Sequence, residues 1–287
     1  MLNLRIFKKI YRQLQEKETQ SKAIFSLYED MPVSFELFLK ELNEETEPKS
    51  KMEMIMLYNQ LTKEHHIALI QGLIRKDFLN LELIFGHLTA FVFQKEPYDV
   101  AQHLDAYLSQ MLKRLDKTII ETGNSEAILK EINYKITQNF IIDNSFLGYY
   151  DITEVKYQHI ISQYTLSILI ILLAERIELP IFGLPYSDKL VLCYTQSYCS
   201  HTELVREEDI LYYLVIGEKD LIYTLDDLKL LSMLQDETLE LRSILPSSNH
   251  KLAESWLEHL SHCNFDTKTQ NHLSSIYQQI FSLAEEI

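Results

Sequence analysis

Turn-forming residues are scarce in this chain: six glycines and six prolines among 287 residues, against an average usage of roughly 7% and 5%. So few breakers leave little punctuation and favour long helices. Cysteine is scarce as well. Cys193, Cys199 and Cys263 are odd in number and form no CxxC pair, so neither a disulfide framework nor a zinc ribbon is expected, and free thiols in a reducing compartment fit. Long apolar runs are missing too. The best stretch, Leu166 to Ala174, contains Ser167 and is closed by Glu175 and Arg176, far short of the ~20 residues a membrane span needs. The first residues show no apolar core followed by a small-residue cleavage site, so neither a transmembrane anchor nor a secretory signal is expected. A cytoplasmic location is the expectation.

Basic charge is in deficit. Twenty-seven Lys and Arg against 42 Asp and Glu give a net charge of −15, which repels phosphate backbones and argues against nucleic acid as a partner. The excess is unevenly placed: residues 203–240 carry eleven acids against three bases, a net of −8, while residues 1–20 carry five bases against two acids, a net of +3. At this length the chain can hold one large domain or two modest ones, each with a real core.

The order of patterns along the chain suggests four regions. In 1–50, Leu2, Ile6, Phe7, Ile10, Tyr11 and Leu14 share one helical face, with Arg5, Lys8, Lys9 and Arg12 opposite, followed by the acidic connector "NEETEPKSK". Such a basic amphipathic helix packs on its own domain, on a partner, or on an anionic membrane surface through residues 1–14. In 51–140, apolar residues recur at helical spacing, including Leu81, Phe85, Leu88 and Val92, then, after Pro97, Val100, Leu104, Leu108, Met111 and Leu115, then Ile128, Ile132, Ile136 and Phe140. In 141–245 the pattern changes after Pro180. The segments "IFGL", "KLVLCYT", "DILYYLVI" and "DLIYT" are short and rich in β-branched and aromatic residues, which predicts a small antiparallel sheet. Thr224 with Asp227 reads as a capping box. In 246–287 two helices follow, around Trp256 and Ile276. The expected fold is α+β, predominantly α-helical with one small antiparallel sheet.

A helix ending "LLAERIELP" (172–180), then "IFG" and a further strand, resembles the transglutaminase-like family of the SirB type. Upstream "FIIDNSFLGYYD" (140–151) and downstream "ILYYLVIGEKDLIYTLDDLK" (210–229) are similar to that family's flanking segments, so the resemblance covers about 80 to 262. It implies a papain-like core in the C-terminal half. There a thiolate stands at a helix N-terminus, a His on the adjoining strand acts as base, and an Asp on the next strand orients it. Matched position by position, the thiol falls at Gln163 or its neighbour Ser162, the His at Lys189 in "YSDKLVL", and the Asp at Val215. An amide is no nucleophile, a protonated Lys accepts no proton, and Val orients nothing. The resemblance therefore implies a degenerate triad and a catalytically inactive member acting as a protein-protein interaction scaffold, without cofactor or metal.

Other residues offer alternatives. Cys193 shares a strand face with Lys189 and reads most simply as a core thiol. Cys199, two residues before His201, could serve a cysteine-dependent hydrolase or acyltransferase, as could Cys193. His259, His262 and Cys263 share one helix edge and could hold a metal or simply form a half-buried edge. Ser162 and Thr165 read as capping residues. The expected partner-binding residues are Arg5, Lys8, Lys9, Arg12, Lys189, Glu207, Glu208 and Asp209.

Overall fold

The computed structural model describes residues 81–95, 97–121, 123–137, 140–154, 159–186, 189–198, 202–216, 222–227, 245–263 and 265–281, with Met52, Ile67, Ile70 and Gln71. The chain divides into two compact units, Met1–Leu69 and Ile70–Ile287; the architecture below is that of the second. The basic residues Arg5, Lys8, Lys9 and Arg12, together with Cys199 and His201, lie outside the described residues.

Beyond the helical residues Ile70 and Gln71, the described helices are α1 (Leu81–Val92), α2 (Pro97–Leu112), α3 (Lys117–Glu121) and α4 (Ser125–Ile132) before the first strand. Proline opens α2, where its missing N–H costs nothing. Val100, Leu104, Leu108, Met111 and Leu115 are all buried, as their spacing predicts. Asn124 caps α4 by accepting from the Ala127 N–H at 3.0 Å. After Ile132 a π-type turn, Asn133–Thr137, changes the helical phase, and Phe140 beyond it packs against the core. Two short parallel strands follow, β1 (Ile141–Ile142) and β2 (Ile160–Ile161), with a 3-10 turn at Leu147–Tyr150 between them.

Helix α5 (Gln163–Arg176) is buried from Gln163 to Ala174 on every side, as befits a helix apolar all round. It ends in a Schellman motif. The N–H of Leu179 donates to Ala174 O at 3.0 Å and that of Glu178 to Glu175 O at 3.3 Å, with Glu178 left-handed at φ 54°. The chain then enters a sheet of β3 (Ile181–Tyr186), β4 (Lys189–Thr195), β5 (Ile210–Val215) and β6 (Ile222–Tyr223), antiparallel and in sequential order. Thr224 and Asp227 bond reciprocally as a capping box. Helices α6 (Asn249–His262) and α7 (Thr267–Phe281) complete the unit. The fold is α+β, mostly helical with one small antiparallel sheet.

Alternation gives each sheet face its own apolar set. Ile181, Leu190, Leu192, Tyr194 and Leu214 join the main core with α5 and α6. Phe182, Leu184, Val191, Cys193, Tyr213 and Val215 form a second cluster on the opposite face. Gly183 lies on the core face, where a Cβ would come within 2.7 Å of both Ile171 on α5 and Leu252 on α6; the missing side chain lets two helices seat on one strand. The main core runs from Ile70 to Phe281. Within this unit, residues between Ile70 and Ile132, between Tyr150 and Ile216 and between Leu252 and Phe281 all contribute to that one core.

Candidate functional site

The N-terminus of α5 is where the resemblance places chemistry. Ser162, fully buried, is the N-cap. Its Oγ accepts from the Thr165 N–H at 3.1 Å and donates to Thr165 Oγ1 at 2.8 Å, so both residues act as the capping pair the sequence suggests. Asn144 Oδ1 accepts from the Gln163 N–H at 3.0 Å. Two first-turn N–H groups that would face an anion at an open helix terminus are thus occupied by the protein itself.

The Gln163 side chain is equally committed. Its Nε2 donates to Leu190 O at 2.9 Å and to Ser167 Oγ at 3.1 Å, while its Oε1 accepts from the Leu190 N–H at 3.2 Å. The reason lies in the sheet. The β4–β5 ladder ends at Val191↔Val215, and one more step would set Leu190 against Ile216. Leu190 is fully buried, so its N–H and C=O need partners. A primary amide offers one donor and one acceptor side by side, as a peptide group does, and Gln163 stands in for the missing rung. Ser167 Oγ adds a second donor to Leu190 O at 3.0 Å.

Lys189 and Val215 do not join Gln163. Tyr186 is paired with Lys189 and packs against the second cluster, to which Val191 and Val215 belong. By alternation Lys189 shares that face, on the far side of the sheet from α5. A shift of one residue reverses the face of a strand position, and the members that look toward α5 are Leu190 and Leu214, both fully buried. Lys189, the position matched to the family's His, thus lies on the other face, and the helix-facing neighbours are aliphatic.

Cys193 is fully buried on the second face, its Sγ 3.6 Å from Phe182 O, and burial pushes its thiol up to about 12, so it is held protonated at neutral pH. Glu207, Glu208 and Asp209 form a 3-10 turn before β5. Asp209 Oδ2 accepts from the Arg206 N–H at 2.9 Å, and the Arg206 guanidinium lies 3.6 Å from Glu208.

The metal alternative separates. His259 and Cys263 meet at Tyr150, whose hydroxyl lies 3.0 Å from His259 Nε2 and 3.1 Å from Cys263 Sγ, while Tyr164 stacks on His259 at 4.9 Å between centroids. His262 turns outward, with Nδ1 3.0 Å from Glu258 O. Among the described residues no group of three His, Cys, Asp or Glu side chains is placed to hold a metal. Burial, the largest influence, raises the Cys263 thiol above its ordinary value, which disfavours a thiolate there.

Sequence reasoning missed Tyr150 and Asn144. Both act on partners far along the chain, and the signal available was only their setting in the "DNSFLGYYD" segment. It also missed a carboxylate cluster: Arg176 on α5 makes a two-pronged bond to Glu82 on α1, with Nε to Oε2 at 3.0 Å, and reaches Asp105 on α2 at 2.9 Å. Beside it burial, then the Glu82 charge, raise Glu175 to about 7.

No protein-family model, no curated protein and no solved structure matches the chain. Among the described residues no helix is long and apolar enough to cross a membrane.

Proposed function

We propose that this protein is a catalytically inactive member of the transglutaminase-like class, cytoplasmic, that serves as a scaffold or adaptor for another protein. The order supports the class: a buried helix followed by consecutive antiparallel strands, with the helix laid across one face. One observation carries the inactivity. At the helix N-terminus, where a nucleophile would stand, the Gln163 amide is engaged by the Leu190 backbone, and the strand residues facing it are Leu190 and Leu214. An amide bonded on both atoms has no group that could attack a carbonyl or accept a proton, and the Ser167 hydroxyl beside it is itself bonded to Leu190 O. What such a fold retains is surface, and the turn with half-buried Glu207 and exposed Glu208 is a charged part of it.

The test uses the full chain. It is incubated with a glutaminyl peptide and a primary amine, with an ester substrate, and separately with a thiol-reactive probe at about pH 6, where only a low-pKa thiolate reacts quickly. The expected result is no amine incorporation, no hydrolysis and slow labelling of every cysteine. Rapid labelling of one cysteine, with turnover abolished by that labelling, would replace this reading with a cysteine-dependent hydrolase or acyltransferase. For the scaffold itself, crosslinking in lysate should recover a partner in stoichiometric amount; recovery of none removes its support.

A further inference from the structure

We infer that Tyr150, His259 and Cys263 form a binding site for a borderline-soft divalent metal ion of the zinc class. Sequence spacing groups His259 and Cys263 with His262, but the structure turns His262 outward and brings Tyr150 in from another element. Tyr150 Oη lies 3.0 Å from His259 Nε2 and 3.1 Å from Cys263 Sγ, so a nitrogen, a sulfur and an oxygen meet in one place. Nitrogen and sulfur donors select zinc and its neighbours over calcium or magnesium.

Distance decides whether an ion fits. Bonds of about 2.0 Å to nitrogen and oxygen and about 2.3 Å to sulfur, at tetrahedral angles, hold an N/O pair about 3.3 Å and an O/S pair about 3.5 Å apart. Against 3.0 and 3.1 Å here, the shortfall is about 0.3 to 0.4 Å, a widening that small side-chain rotations supply. Tyr150 is fully buried, whereas His259 and Cys263 are half-buried. The two helix donors therefore keep a side toward solvent, from which the ion and a water as fourth ligand arrive.

The surroundings favour positive charge. His259 stands in the last turn of α6 and Cys263 caps it, at the negative end of the helix dipole. Burial, then Cys263, then the Asp143 carboxylate raise the Tyr150 phenol, and burial raises the Cys263 thiol; a cation that ligates both lowers them again. The imidazole is already oriented. Tyr164 stacks on it at 4.9 Å and 25°, and is itself hydrogen-bonded to Ser255, one turn earlier on α6. Such support fixes a His ligand before the ion arrives.

The experiment titrates the full chain, reduced and stripped with a chelator, with Co(II) as an optical stand-in for Zn(II). One equivalent should produce a thiolate-to-cobalt charge-transfer band, and Zn(II) should bleach it. Cys263→Ser should abolish the band, and His259→Gln and Tyr150→Phe should each weaken binding about tenfold or more. His262→Ala and Cys199→Ser should bind as the parent does. A second readout needs no variant: Zn(II) should slow alkylation of Cys263, located by peptide mapping, by about tenfold or more while leaving Cys199 unchanged. No charge-transfer band, a band that survives Cys263→Ser, parental affinity in His259→Gln or Tyr150→Phe, or no zinc protection of Cys263 would overturn the inference.

Discussion

Replacing Gln163 by Glu tests the account of the helix terminus in a way few other changes can. Glu matches Gln in shape but, when ionised, only accepts hydrogen bonds. The Leu190 N–H would keep its acceptor, whereas Leu190 O and Ser167 Oγ, now 2.9 and 3.1 Å from a donor, would face a second oxygen. Burial and the opposed carbonyl both disfavour the charged form, so the carboxyl's folded pKa should rise above its unfolded value by about 2 to 3 units, or ~3–4 kcal/mol once it ionises. A group raised in this sense stabilises relatively below its unfolded pKa and loses that as pH climbs through the folded one. The protonated acid can still donate to Leu190 O, so near pH 5 the variant should lie within about 1 kcal/mol of the parent. Near pH 8 the deficit should reach about 4 kcal/mol. Urea unfolding of both proteins at the two pH values measures the difference directly, and the parent's own pH dependence cancels. A deficit of the same size at both pH values would refute the idea that Gln163 supplies a donor to a buried carbonyl.

Glu175 predicts a pH dependence in the parent. Its raised value, about 7 against 4.5 unfolded, contributes stability below pH 4.5 that disappears as pH rises to 7, amounting to about 3 kcal/mol; Glu175→Gln should flatten this slope and be the more stable protein near pH 8 by urea unfolding. Glu178→Gly relieves a left-handed residue at φ 54° and should raise stability by up to about 1 kcal/mol, read as a higher melting temperature. Cys193 should resist alkylation near pH 8 in the folded protein and react at an ordinary thiol rate in denaturant, and fast native labelling at that residue, located by peptide mapping, would show that its burial is not as described.

What the sequence disclosed and what it hid divide along a physical line. Signals made by neighbours in the chain were readable: Pro97 opening α2, the inward row from Val100 to Leu115, Ser162 as a cap, the reciprocal Thr224 and Asp227 pair, four strands in order. Signals that depend on pairing were not. Whether Lys189 or Leu190 faces α5 turns on one residue of register, and the apolar run "KLVLCY" is buried on both faces, so hydrophobicity gives no clue to which side is which. The task of Gln163 depends on where β5 stops pairing, 52 positions further along, and no local pattern encodes that. The turn at Asn133–Thr137 shifted helical phase without a Gly or Pro to announce it.

The all-round burial of α5 has a consequence during synthesis. Its covers include α6 at 249–262, which leaves the ribosome some seventy residues after α5 does. At about 5–20 residues per second, the nascent chain carries a naked apolar rod for several seconds before its last helices arrive. Truncation anywhere between the two helices should therefore yield chains that depend on chaperones or precipitate, while the finished protein needs no such escort.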